Sequence, residues 1–89
     1  MSEFKLQVVT PERVVLDENV TSIIAPGAAG YLGVLAHHAS LLTTLAEGPL
    51  TIKRGESVRT YGISGGFLEV HNNVATILCD SIQATEQPA

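Results

Sequence analysis

Short apolar segments cut repeatedly by Gly, Pro or Asn constrain this chain more than any other feature. The interruptions are Pro26-Gly27, Gly48-Pro49, Arg54-Gly55-Glu56, Gly65-Gly66 and Asn72-Asn73. The segments between them have a period of two or are continuously apolar, which is strand rather than helix patterning. Phe4, Leu6 and Val8 alternate with Lys5, Gln7 and Val9. Residues 14–16, 20–25, 31–35, 50–53, 58–63, 67–70 and 74–79 read as further extended segments. Pro26-Gly27 is expected to stop one strand, with Ala28-Ala29-Gly30 turning the chain back into the next. Asn tolerates the positive φ of tight hairpins, so Asn72-Asn73 reads as a hairpin turn. Residues 37–45 allow a short helical turn before a strand. The pattern implies an all-β sandwich or barrel.

With 89 residues the chain is expected to form one domain, over residues 1–83, with a short flexible tail at 84–89. Hydrophobic residues make up 45% and charged residues 16%, which favours a globule over disorder. Aromatics are only 4% and Trp is absent, so the core must be aliphatic. The formal net charge is −4 and no basic stripe interleaves with aromatics, which argues against nucleic-acid binding. A single cysteine, Cys79, excludes an intrachain disulfide framework. No segment has the pattern of a signal peptide or the length of a membrane-spanning helix, so a soluble, cytosolic-type protein is expected.

Chemistry-bearing motifs are few. His37, His38, His71 and Cys79 are the metal-ligand candidates, and a small cupin-like metal protein built on them is the alternative functional reading. Adjacent residues on a strand point to opposite faces, so His37 and His38 could not chelate together if extended. Residues 62–66 match G-x-S-x-G, but too little chain follows for the acid and histidine a hydrolase needs. A glycine-rich bend between strands is the simpler reading. Gly27, Gly30 and Gly33 lack the Lys-Ser/Thr of a phosphate loop. Asn72-Asn73 lacks the lysine that a biotin or lipoate carrier needs at its hairpin tip. Cys79 shares parity with Ala75 and Ile77 and reads as a small core residue. Glu69 and His71 share the opposite face of their strand. Residues 30–45 contain no Lys, Arg, Asp or Glu.

Three stretches in order, FKLQVVT at 4–10, GYLGVLAHHASLL at 30–42 and ISGGFLEVHNNVATIL at 63–78, with Pro11-Glu12 and Glu47-Gly48, resemble the N-terminal domain of F-type ATP synthase epsilon subunits. The resemblance runs from about Phe4 to Ile82. It implies a ten-stranded β-sandwich, a non-catalytic central-stalk subunit without cofactor or metal. Its expected partners are the gamma subunit and the ring of c subunits. It would fasten one to the other so that proton- or sodium-driven rotation reaches the catalytic head. By position, Ala28, Ala29, Gly30 and Tyr31 match the loop facing the c ring. Thr10, His38, Ser40, Leu41, Leu42 and Thr43 match the gamma interface. The expected location is the cytoplasmic face of a bacterial inner membrane, peripheral and without insertion. Typical members continue into a C-terminal helical hairpin that restrains ATP hydrolysis. This chain ends at Ala89, so the expectation is a form without that hairpin.

Overall fold

A computed structural model describes residues 2–85, and these contain strands and turns but no helix. The ten strands are β1 (Phe4–Val9), β2 (Val14–Val20), β3 (Ser22–Gly27), β4 (Gly30–Leu35), β5 (Leu41–Leu45), β6 (Gly48–Arg54), β7 (Ser57–Ile63), β8 (Gly66–His71), β9 (Val74–Cys79) and β10 (Ile82–Ala84). The hydrogen-bonded order is β10-β7-β6-β3-β5-β8-β9-β1-β2, with β4 on the free side of β3. This sheet curls into a sandwich. One layer holds β10, β7, β6, β3 and β4, and the other holds β5, β8, β9, β1 and β2.

Strand β3 carries the chain path from one layer to the other. Ser22–Ile24 pair with β6, whereas Gly27 pairs with Leu45 of β5. Two backbone bonds secure this corner, Ala28 N–H to the Thr44 carbonyl at 3.0 Å and Ala46 N–H to the Pro26 carbonyl at 2.7 Å. Strand β1 pairs with β2 antiparallel and with β9 parallel. No crossover helix is needed for that parallel pair, because the connection passes through the other layer.

The core is aliphatic, as the composition requires. It is built from Leu6, Val8, Val20, Ile23, Val34, Leu50, Ile52, Leu68 and Ile77, all fully buried, with Phe4 as its one aromatic member. Alternation places them: Phe4, Leu6 and Val8 face inward from β1, and Leu68 and Val70 from β8. Each such side chain contributes about 1.5–3 kcal/mol on burial.

Several boundaries differ from the sequence reading. Pro26-Gly27 does not stop β3; both pair with β4, opposite Tyr31 and Gly30. Proline is tolerated there because its missing N–H falls where no ladder bond to β4 is made. Gly48-Pro49 likewise begins β6 rather than breaking the chain, opposite Ile63 and Gly62. The division between β2 and β3 falls at Thr21, whose hydroxyl donates to the Lys53 carbonyl at 3.0 Å. No helical turn forms in residues 37–45: a turn at 36–37 leads through 38–40 into β5. Ala84, assigned to the tail, is the last residue of β10 opposite Tyr61, and Thr85 N–H donates to the Thr60 carbonyl at 2.9 Å. Residues 86–89 of that expected tail lie outside the described residues.

Candidate interaction surface

The outer face of the β5-β8-β9-β1-β2 layer is organised in rows across the strands. Registers align Thr44, Phe67, Leu78, Val9 and Val14 into one row. Phe67, Leu78 and Val14 are exposed at 53%, 49% and 54%, although apolar. The next row is Leu42, Glu69, Thr76, Gln7 and Asp17, and the third includes His71, Val74, Lys5 and Asn19. Polarity therefore rises across the face, from an apolar row to two polar ones joined by the Lys5–Asp17 pair at 3.4 Å. Beside the apolar row lies a groove of about 520 Å³, lined by Val9, Pro11, Gly66, Phe67, Leu78 and Asp80 among others. An exposed cluster of large apolar side chains beside a polar margin is the chemistry of a protein contact rather than of catalysis.

Gly66 shapes this row. Its φ is +141°, and a Cβ there would lie 1.8 Å from the Leu78 carbonyl oxygen. The G-x-S-x-G match is thus the joint where β7 leaves one layer and β8 enters the other, with Gly66 close against β9. The Ser64 hydroxyl, in the β7–β8 connection, accepts from Ser81 N–H at 3.1 Å.

The six residues expected at the gamma interface are divided by the fold. Leu42 is 72% exposed on the outer face and lines a shallow hollow with Ser40, Glu69 and His71. Ser40 Oγ lies 3.3 Å from His71 Nδ1. His38 is exposed, and its Nδ1–H donates to the Ala39 carbonyl at 2.7 Å. Leu41 and Thr43 have the opposite parity and are half-buried, with Leu41 against the core. Thr10 lies at the other end of the sandwich, three strand spacings or about 14 Å across from β5. It is buried, and its hydroxyl donates to the Arg13 carbonyl at 3.3 Å, closing the β1–β2 turn. Thr10 and Leu42 border the same outer layer, and Phe67 and Leu78 fill the span between them. Parity alone identifies these last two: Phe67 matches Glu69 and His71, and Leu78 is out of phase with Ile77 and Cys79.

Ala28, Ala29, Gly30 and Tyr31 come together at the tip of the β3–β4 hairpin, all exposed, with Tyr31 at 66%. Gly30 opens β4, and Tyr31 is its second residue rather than part of the turn.

The metal candidates do not converge. His37, His38 and His71 lie at the end of the β4–β5 and β8–β9 connections, whereas Cys79 is buried opposite Gly66 at the other end. Among the described residues no group of three or more His, Cys, Asp or Glu could hold a metal ion. Burial, with a smaller contribution from Asp80, pushes the Cys79 thiol up, which keeps it protonated and inert. His37 has a backbone role. Its φ is 65°, and its N–H donates to Asn73 Oδ1 at 2.7 Å, while Asn73 Nδ2 donates to the Glu3 carbonyl at 3.0 Å. Asn72 and Asn73 both have positive φ, as the two-residue hairpin requires.

Residues 3–85 match the family model of the ATP synthase delta/epsilon chain β-sandwich domain. The chain belongs to this family. It is 44% identical over 88 residues to an ATP synthase epsilon chain of Moorella thermoacetica, covering 98% of this chain and 66% of that one. It is 41% identical over 83 residues to that of Desulforamulus reducens, covering 93% and 63%. The chain thus spans about two thirds of the length of these epsilon-chain relatives. A chain in the cryo-EM structure of the Euglena gracilis mitochondrial ATP synthase, OSCP/F1/c-ring, superposes with a TM-score of 0.89 at 29% identity, covering 94% of this chain and 54% of that one. A chain of the Tetrahymena thermophila mitochondrial ATP synthase central stalk and c ring shares the fold, with a TM-score of 0.78 at 22% identity, covering 91% and 66%. These likenesses bear out both the resemblance read from residues 4–82 and the all-β sandwich.

Proposed function

We propose that this epsilon-family sandwich is a non-catalytic central-stalk subunit that fastens gamma to the c ring, so that proton- or sodium-driven rotation is transmitted to ATP synthesis. The observation that supports this most is the apolar outer face of the β5-β8-β9-β1-β2 layer, with Leu42, Phe67 and Leu78 exposed. Gamma docks on that face. The β3–β4 hairpin tip, Ala28 to Tyr31, faces the c ring at the end of the sandwich where Gly27 joins Leu45. The chain works at the cytoplasmic face of a bacterial inner membrane, held by its partners. Among the described residues no helix is long and apolar enough to cross a membrane.

The experiment is reconstitution of the purified chain with its cognate gamma subunit, read by gel filtration, and with the complete enzyme, read by ion-driven ATP synthesis. A stable one-to-one complex, and synthesis lost on removing the chain, are expected. Failure to bind gamma would contradict the assignment.

A further inference from the structure

Strand β4 has a property that the other outer strands lack. Tyr31 stands opposite Pro26, which has no N–H, so that pair exchanges no hydrogen bonds. Antiparallel pairs alternate, and the bonds to β3 therefore come from Gly30, Leu32 and Val34. The backbone groups of Tyr31, Gly33 and Leu35 point away from β3, toward the free edge. Two bonds agree with this phase. Pro26 gives its carbonyl to Ala46 on the side away from β4, and the Leu35 carbonyl accepts from His38 N–H at 3.2 Å. Among the described residues, the N–H groups of residues 31, 33 and 35 thus form an unfilled row, every second residue, on a strand that pairs only with β3.

Natural sheets guard such edges with charge, proline, bulges or brevity. Strand β10 is three residues long. Strand β2 carries Asp17 and Glu18 and has a register shift opposite Val8/Val9. Strand β4 is six residues, uncharged, free of proline and regular in register. Tyr31 and Leu35 are exposed at 66% and 65%, and Gly33 between them leaves Ile24 exposed at 41%.

We propose that β4 is an acceptor edge, and that an extended segment of gamma adds to it as a further strand, bonding to Tyr31, Gly33 and Leu35 and covering Ile24 with an apolar side chain. This rests on the reading that gamma docks on the outer layer. A subunit seated on Leu42 of β5 reaches β4 around the corner where Gly27 meets Leu45. A second copy of the chain fits less well. A pairing through six residues falls short of the roughly 1,200 Å² that a stable interface buries, and each copy carries a net charge of −4.

Amide hydrogen exchange on the chain, alone and bound to its cognate gamma, tests this. Alone, the amides of Tyr31, Gly33 and Leu35 exchange rapidly; in the complex they slow at least tenfold. Gly33→Pro removes one outward N–H, and chemically synthesised chain with N-methylglycine at position 33 does so with less conformational restriction. Either change lowers gamma affinity at least tenfold without lowering Tm. If a complex forms while these amides stay fast, the acceptor edge is wrong and the docking assignment survives. If no complex forms, both are wrong. Protection that rises with chain concentration without gamma would mean self-pairing and would overturn the proposal.

Discussion

The two long outer strands, β2 and β4, treat their exposed edges in opposite ways. Along β2, Glu18 reaches across the sandwich to form a two-point ion pair with Arg59 of β7, and the same guanidinium contacts the Tyr61 hydroxyl at 3.4 Å. The Glu18 hydrogen bond raises the Arg59 pKa further above its ordinary value. Side chains thus close that side of the molecule, and charge marks it as solvent-facing. On the β4 side, backbone closes the sandwich through the Gly27–Leu45 corner, and residues 30–45 carry no charge to repel a partner. The contrast separates two kinds of sheet margin, one sealed by side chains and one left, among the described residues, with outward backbone groups.

The two layers that carry these edges are joined at Gly66, between β7 and β8, so its loss should have the largest effect. Gly66→Ala drives a Cβ into the Leu78 carbonyl and is expected to cost more than about 3 kcal/mol. Urea denaturation reads this as a lower midpoint or as failure to fold. Next, Arg59→Met opens the sealed side alone. It leaves Glu18 half-buried without its partner and should cost about 1–2 kcal/mol, between exposed and buried pair values. Gamma affinity should stay unchanged, and a loss of affinity would show that the β2 side also docks. The smallest effect is expected just beyond β4. His37→Asn keeps the positive φ with a residue better suited to it and should stabilise the chain by about 0.5 kcal/mol, read as a raised Tm.

Much of the fold was legible because it rests on parity. Phe4, Leu6 and Val8, or Leu68 and Val70, could face only one way, and Asn72-Asn73 named its own turn. Proline misled where the ladder phase decided: Pro26 and Pro49 read as stops, yet both sit inside strands. The pairing of β1 with β9, and the position of β3 across two layers, arise from contacts far apart in sequence and leave no local mark. For the candidate surface, the charge-free stretch pointed to β4 and β5. Its contiguous numbering concealed that Leu41 and Thr43 turn inward while Leu42 turns out. Phe67 and Leu78 carry a parity signal, but apolar identity alone does not distinguish them from their inward-facing neighbours Leu68 and Ile77. His37 looked like a ligand because its side chain is conspicuous, whereas its role lies in its backbone.

The most direct test of gamma docking on the outer layer is titration calorimetry of cognate gamma against the chain and its Leu42→Asp variant, with Glu47→Ala as a margin control. Leu42 is so exposed that the variant should keep its Tm. Its affinity should fall by about 1.5–3 kcal/mol, the burial energy of one leucine, against roughly 0–1 for Glu47→Ala. Unchanged affinity for Leu42→Asp, or a larger loss for Glu47→Ala, would contradict the account.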